Sequence, residues 1–223
     1  MRSAAQKWLH GLSNTKPDEL DVKELLSCYD IATPAGLRLG PNDSVAIRNM
    51  QPPYVVKVCS GDILHKTDQG GVRLNVQPDR LENTITEMRA KFPGVSVLVE
   101  EHVHVSGSEL IVGGLVDQEF GTAVMVGAGG ILTELYQDVT FRLAPCSAEE
   151  ARRMLNELQI APLFSGYRGL NLDADLLAKT VAAISRMVID LGDVFSQLDI
   201  NPLGWVNNKW MALDAKLVLN SKV

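Results

Sequence analysis

Val55-Val56-Lys57-Val58-Cys59-Ser60-Gly61-Asp62-Ile63-Leu64-His65-Lys66-Thr67-Asp68-Gln69-Gly70-Gly71-Val72 is the stretch whose reading decides the fold. An apolar strand carries one lysine. A histidine beside a second lysine follows, and a glycine pair closes the run into another strand. A charge is rarely buried unpaired, so Lys57 points to a ligand phosphate rather than to a head lying in water. Glycine has no Cβ, so Gly70 and Gly71 let backbone N–H groups approach phosphate oxygens. His65 offers a nucleophilic ring nitrogen, and Asp62 or Asp68 could hold the other nitrogen. Lys66 could offset charge on a phosphorylated ring. A lone loop histidine is as readily a solvated side chain. Spacing alone does not decide between the two, but the combination points to phosphoryl transfer involving a nucleotide.

Outward from this stretch, strands and helices are mixed throughout, without an internal repeat. Tyr54 to Cys59 reads as a buried strand after Pro52-Pro53, and Val72 to Val76 as a second. Upstream, Leu20, Val22, Leu25, Leu26 and Tyr29 form the stripe of a helix starting at Pro17-Asp18. Downstream, Leu81, Ile85, Met88 and Phe92 predict a helix from near Pro78. Val95 to Val105 reads as a strand with Val97, Val99 and Val103 on one face. Leu110 to Val116 and Ala123 to Val126 read as further strands. Ser147 and Glu150 carry a capping-box signature. Leu177, Val181, Ile184, Val188 and Leu191 mark the longest helix. Val194 to Ile200, an Asn207-Asn208 turn and Trp210 to Ala215 close the chain, since asparagine tolerates positive φ. The fold class expected is α+β in two lobes, residues 24–102 and residues 1–23 with 103–223. A nucleotide cleft is expected between them, because ligands favour such interfaces.

The 223 residues, 46% hydrophobic and 22% charged, are enough for one large domain or two lobes with a core. A net charge of −6 argues against a nucleic-acid scaffold or an anionic membrane surface. Cys28, Cys59 and Cys146 are scattered, without a Cys-x-x-Cys, and read as reduced thiols in a cytoplasm. No apolar run approaches the length needed for a signal peptide or a bilayer span. The expectation is a cytoplasmic protein.

Two places near the C-terminus set single oxygen ligands in apolar sequence. They are Asn201 in Asp199-Ile200-Asn201-Pro202-Leu203 and Asp214 in Ala212-Leu213-Asp214-Ala215-Lys216. An acid there is costly to bury alone, and Mg²⁺ is a fitting partner because it takes few protein oxygens and fills its shell with phosphate and water. A capped turn for Asn201 and an ion pair for Asp214 are the plainer alternatives. Val126-Gly127-Ala128-Gly129-Gly130-Ile131 is a second glycine loop, but it matches neither a Walker loop nor a dinucleotide fingerprint. His102 and His104 share a strand face with Glu100. No fourth ligand of zinc spacing accompanies them, and a polar face is preferred.

Taken in order, Lys57 through Val72, Glu109-Leu110-Ile111-Val112-Gly113, Asp117-x-x-Phe120-Gly121, Gly129-Gly130-Ile131-x-x-Glu134, Phe141-Arg142-Leu143-Ala144-Pro145, Tyr167-Arg168-Gly169, Asp199-Ile200-Asn201-Pro202-Leu203 and Ala212-Leu213-Asp214-Ala215 form a pattern. The chain resembles the ATP-grasp β subunit, or β domain, of ADP-forming acyl-CoA synthetases of the acetyl-CoA type. Succinyl-CoA synthetase β subunits share the Asn-Pro-Leu and Ala-Leu-Asp-Ala endings, but their phosphate loop differs from Leu64 to Asp68. The resemblance implies an ATP-grasp fold and a reversible reaction in which acyl-CoA, phosphate and ADP give acid, CoA and ATP. It also implies a CoA-binding α subunit as partner in a hetero-oligomer. The phosphoryl group would pass from an α-subunit histidine to His65 and then to ADP. Lys57 and Lys66 would meet phosphates, and Gly70 and Gly71 would cover them. Glu100, Glu101 and His102 would form the adenine hinge, with Glu109 near the ribose or phosphates. Asn201 and Asp214 would bind Mg²⁺. Ser60-Gly61-Asp62 departs from the family's usual Ser-Pro-Asp. A succinyl-CoA-type ligase and a non-catalytic ATP-binding regulatory module are the competing readings.

Overall fold

The computed structural model describes residues 3–12, 16–63, 66–130, 137–170 and 172–220. Among these, two antiparallel sheets stand side by side, each with helices on one face. The smaller holds β1 (Gly36–Leu39), β4 (Ser96–Glu101), β2 (Tyr54–Cys59) and β3 (Val72–Val76), in that spatial order. The larger runs β10 (Ala215–Leu219), β8 (Phe195–Val206), β5 (Leu110–Asp117), β6 (Gly121–Ala128) and β7 (Val139–Leu143), with β9 (Lys209–Ala212) also paired to β8. The architecture is α+β, as expected.

In the smaller sheet, β2 is paired on both sides and buried along its whole length. Side chains alternate across a strand, so Val56 and Val58 pack against Leu81, Ile85 and Met88 of α3 (Leu81–Lys91). Val55 and Lys57 face the other way, toward the larger sheet. A short turn of tight helix at Pro78–Arg80 leads into α3.

In the larger sheet, Val112, Val124, Val126, Leu198, Ile200 and Leu217 pack beneath α4 (Ala148–Glu157) and α5 (Ala174–Leu191). Ser147 caps α4 reciprocally with Glu150, as the sequence predicts. The same core takes in Ala5 of α1 (Ala4–Gly11), and Val22, Leu25 and Leu26 of α2 (Glu19–Ser27). Residues of α2 before and after the division expected at residue 24 therefore share the core of the larger sheet. Asp18 caps α2 by accepting from the N–H groups of Leu20 and Asp21. Arg38 of β1 then bonds Asp18 at 2.5 Å and Asp21 at 2.7 Å, tying the smaller sheet to that helix.

Three segments differ from their sequence expectation. The strand expected over 95–105 ends at Glu101. His102 N–H turns to the Pro53 carbonyl, Ser106 N–H reaches the Trp205 carbonyl, and the chain between them crosses from one sheet to the other. The strand expected to end at Ile200 runs on to Val206. It accommodates Asn201-Pro202 by a bulge: Leu110 pairs with Leu203 and Val112 with Ile200, so two residues of β8 oppose Ile111 alone. Asn207 and Asn208 take positive φ in the turn, as expected, but Leu213-Asp214 is then a bend between β9 and β10.

Candidate functional site

Between the sheets lies a cavity of about 630 Å³. Its smaller-sheet wall comprises Val55, Lys57, Val72, Leu74 and Glu100, and the crossing segment Glu101 to Val105 forms one end. The larger sheet supplies Glu109, Gly130, Asn201, Pro202, Leu213 and Asp214. A second chamber of about 180 Å³ adjoins it and shares Thr67, Asn201 and Asp214. Ile63, Lys66, Asp199 and Lys216 complete that chamber.

A buried charge lattice holds the inner wall. Glu19 and Lys23 lie one turn apart on α2, with a 2.7 Å ion pair between them. Lys57 Nζ donates to Glu19 Oε1 at 2.6 Å, to the Leu213 carbonyl at 2.6 Å, and lies 2.8 Å from Glu100 Oε2. Lys23 Nζ meets Glu19, Glu100 and the Leu213 carbonyl. An ammonium has three N–H donors, so each of these two lysines is saturated by protein oxygens. Lys66 Nζ bridges Glu19 Oε2 at 2.5 Å and Asp214 Oδ1 at 2.6 Å, and uses two donors among the described residues. Glu19, Lys23, Lys57 and Glu100 are at most 6% exposed.

The lattice sets its own protonation. Burial works to raise the Glu19 carboxyl, but the charges of Lys57, Lys23 and Lys66 outweigh it and hold the group well below the usual carboxylate range. Burial likewise works to lower Lys57, and the carboxylates of Glu19, Glu100 and Asp214 reverse it, so its ammonium stays charged far into alkali. Lys66 is raised against its burial by Glu19 and Asp214. Lys23 goes the other way, lowered by burial and by the neighbouring charge of Lys57. Asp199 is raised by burial and by the charge of Asp214.

Lys57, Glu100, Glu101, His102, Glu109, Asn201 and Asp214 all line the larger cavity. Lys66 lines the smaller chamber. Gly70 and Gly71 line neither: Gly70 N–H donates to the Thr67 carbonyl at 2.9 Å, and Gly71 N–H to the Lys66 carbonyl at 2.6 Å. Their N–H groups close the loop on itself. A Cβ at Gly71 would come within 2.9 Å of the Lys66 carbonyl oxygen, so glycine is needed there for close packing of backbone. His65 lies outside the described residues, although Ile63, Lys66 and Thr67 around it line the smaller chamber. His102 and His104 are exposed at the cavity mouth, and no metal-holding cluster of His, Cys, Asp and Glu exists among the described residues.

Glu19, Lys23, Asp199, Lys216 and the Leu213 carbonyl were not anticipated as parts of this site. The signal for the first two was present: an i, i+4 charge pair beside the apolar stripe Val22, Leu25, Leu26. Asp199, Asn201 and Asp214 all line the smaller chamber, and Asn201 Oδ1 accepts from Gly130 N–H at 3.4 Å. Two carboxylates and an amide, with room for phosphate and water, fit a hard divalent cation.

A family model for the ATP-grasp domain matches residues 11–219. The chain is 31% identical over 214 residues to the β subunit of ADP-forming acetate–CoA ligase I of Pyrococcus furiosus, covering 90% of each chain. It is 35% identical over 179 residues to the ADP-forming acetate–CoA ligase I of Archaeoglobus fulgidus, covering 77% of this chain and 26% of that one. Among solved structures it is similar to the dinucleotide-forming acetyl-coenzyme A synthetase 1 of Ca. Korarchaeum cryptofilum, with TM-score 0.79 and 29% identity over 98% of this chain. That structure holds coenzyme A and Mg-AMPPCP, with a phosphohistidine segment pointing towards the nucleotide binding site.

Proposed function

The chain belongs to the ATP-grasp family, and we propose that it is the nucleotide-binding β subunit of an ADP-forming acyl-CoA synthetase. The observation that carries this reading is the cavity between the sheets. It gathers Lys57, Glu100, Glu109, Asn201 and Asp214 from five separate stretches of chain, in a volume suited to a nucleotide. Phosphoryl transfer needs positioning and neutralisation of charge more than covalent work by the protein. Lys66 supplies a cation at the junction of the two chambers, and Asn201 and Asp214 supply oxygens for Mg²⁺. The bound ion would neutralise phosphate charge. The crossing segment Glu101 to Val105 offers an apolar and backbone edge for the base.

His65 is the phosphoryl carrier in this reading, supported by the position of its described neighbours at the smaller chamber. In the ATP-forming direction an oxygen of the ADP β-phosphate attacks the phosphorus on His65. The P–N bond breaks, its electron pair stays on the ring nitrogen, and ATP forms. A CoA-binding α subunit completes the reaction. Its need is supported by the Archaeoglobus relative, in which this domain is 26% of a longer chain. It is supported also by the uncovered face of the larger sheet, where Leu115, Phe141 and Leu143 are 36%, 47% and 57% exposed. A cytoplasmic location accords with this chemistry. No helix among the described residues is long and apolar enough to cross a membrane.

The test is calorimetric and chemical. The chain should bind MgADP, Asp214→Asn and Asn201→Ala should each weaken that binding by tenfold or more, and His65→Ala should leave it intact. With the α subunit and acyl-CoA present, wild type should acquire acid-labile phosphate and His65→Ala should form no ATP. Wild-type ATP formation by His65→Ala would remove the histidine from the relay. Absence of nucleotide binding would remove the whole reading.

A further inference from the structure

We propose that Lys23 of α2 is a positioning residue for the proposed metal ligand Asp214, and that it acts through the Leu213 carbonyl. The inference rests on the nucleotide and Mg²⁺ reading of the cavity and extends it to a residue outside the cavity walls. Lys23 is buried and lines neither chamber, so its part in the site is indirect. Its Nζ donates to the Leu213 carbonyl at 2.9 Å, and Lys57 Nζ donates to the same oxygen at 2.6 Å. A carbonyl oxygen has two lone pairs, so two ammonium groups fill it. Bonds from charged donors are the stronger kind. The larger sheet holds the rest of the bend. Leu213 N–H donates to the Pro202 carbonyl at 3.0 Å, and Asn201 N–H donates to the Asp214 carbonyl at 3.2 Å. The peptide unit between those two bonds is gripped at its carbonyl, from α2 by Lys23 and from β2 by Lys57.

The Asp214 side chain leaves the backbone directly after this peptide unit, so a rotation of the unit swings the carboxylate that lines both chambers. The two lysines are not equivalent in this grip. Lys57 lines the larger cavity and faces whatever enters it. Lys23 is shut away from both chambers, so its hold on the bend does not change with their contents. Stability alone does not call for a lysine at this place. Burying an ammonium is costly, and apolar groups in place of a buried ion pair are often neutral or stabilising. Groups that orient a metal ligand without touching the metal typically carry roughly 10–100-fold in metal affinity. Charge and orientation predict opposite signs here. Lys23→Met removes a positive charge beside the bend, which by Coulomb's law would strengthen the hold on a cation. Loss of the grip on the Leu213 carbonyl weakens it.

Titration calorimetry on the full chain decides the sign, with ADP in excess Mg²⁺ and ADP in EDTA as the two probes. The quantity read is the ratio of the affinity with metal to the affinity without it. In Lys23→Met that ratio should fall at least tenfold below the wild-type value. A merely structural role would weaken both affinities together and leave the ratio in place. A smaller fall, an unchanged ratio or a rise therefore overturns the proposal. Should Lys23→Met fail to fold, Lys23→Met combined with Glu19→Gln restores the balance of charge. Its ratio should then fall at least tenfold below that of Glu19→Gln alone, and any lesser fall overturns the proposal equally. A wild type that binds no ADP, or binds it equally with and without Mg²⁺, would instead defeat the nucleotide and metal reading on which Lys23 depends.

Discussion

Replacing Glu19 with glutamine should be among the most destabilising single changes in this protein, and the lattice sets the size. Three cations, Lys23, Lys57 and Lys66, face three carboxylates, Glu19, Glu100 and Asp214. Glu19 alone touches all three lysines. Removing its charge leaves three ammonium groups against two carboxylates, with Lys23, Lys57 and Glu100 buried. Taking one partner from a buried ion pair costs about 3–5 kcal/mol, against a total stability on the order of 5–15 kcal/mol. Urea denaturation should show that loss as a lower midpoint with an unchanged slope. The pH dependence has a definite sign. The Glu19 carboxyl is held below its unfolded value, so its stabilisation is fully present above that value and is lost as pH falls through the folded one. The stability curves of wild type and Glu19→Gln should therefore converge in acid, below the range where ordinary carboxylates titrate. Lys23 is the second site to alter, because burial and the charge of Lys57 already disfavour its ammonium. Adding Lys23→Met to Glu19→Gln leaves two charges of each sign, and the double variant should be less destabilised than the sum of the singles by at least ~1 kcal/mol. A cost under about 1 kcal/mol for Glu19→Gln, or a gap to wild type that does not close in acid, would refute this account.

Two further outcomes follow from packing. A Cβ at Gly129 would stand 2.5 Å from the Leu110 carbonyl carbon, so Gly129→Ala should cost about 1–3 kcal/mol by urea denaturation. Gly11→Ala, where nothing lies within 4 Å, should stay within about 0.5 kcal/mol; equal costs would show that the backbone approach at Gly129 is unimportant. Cys28 is exposed, whereas Cys59 is buried and its thiol is pushed up to about 12 by burial and by the charge of Asp18. Native protein treated with a thiol reagent near pH 8 should be labelled at Cys28 well before Cys59, as read by peptide mass; equal labelling would contradict the burial.

Where periodicity was strong, the elements were legible. β2 and β3 occupy the residues expected, α2 starts at its Asp18 cap, and Ser147 with Glu150 opens α4. Each of these rests on a local signal: an apolar run, a cap, a stripe. The misses are of another kind. Asn201-Pro202 looks like a strand terminator, since proline cannot donate to a ladder, yet β8 continues because a bulge against Ile111 absorbs the extra residue. Only the pairing with β5 decides that. His102 to Val105 keeps an alternating pattern but leaves the sheet, because the Pro53 carbonyl and the Trp205 carbonyl draw the chain across the gap. The larger sheet's edge strand β7, Val139–Leu143, has no strand expectation in the sequence.

The site was legible residue by residue but not as a circuit. Lys57 was read as a phosphate ligand because a strand lysine needs a counter-charge, and that premise is sound. The counter-charges are Glu19 and Glu100, which stand 38 residues before it and 43 after. Neither spacing leaves a local signature. With its three donors taken, Lys57 joins β2 to α2, to β4 and, through the Leu213 carbonyl, to the bend before β10. It therefore fixes the spacing of the two sheets that a nucleotide must enter. Lys66 differs: where Lys57 engages three donors, Lys66 engages two among the described residues, on Glu19 and Asp214. Its bond to Asp214 also occupies a carboxylate oxygen that a divalent cation would take. Under the proposed function, cation and phosphate would favour each other here, since an ion held by Asp214 would free Lys66 to meet a phosphate. The two lysines of one stretch thus divide the work: Lys57 holds the cleft, and Lys66 lines the smaller chamber.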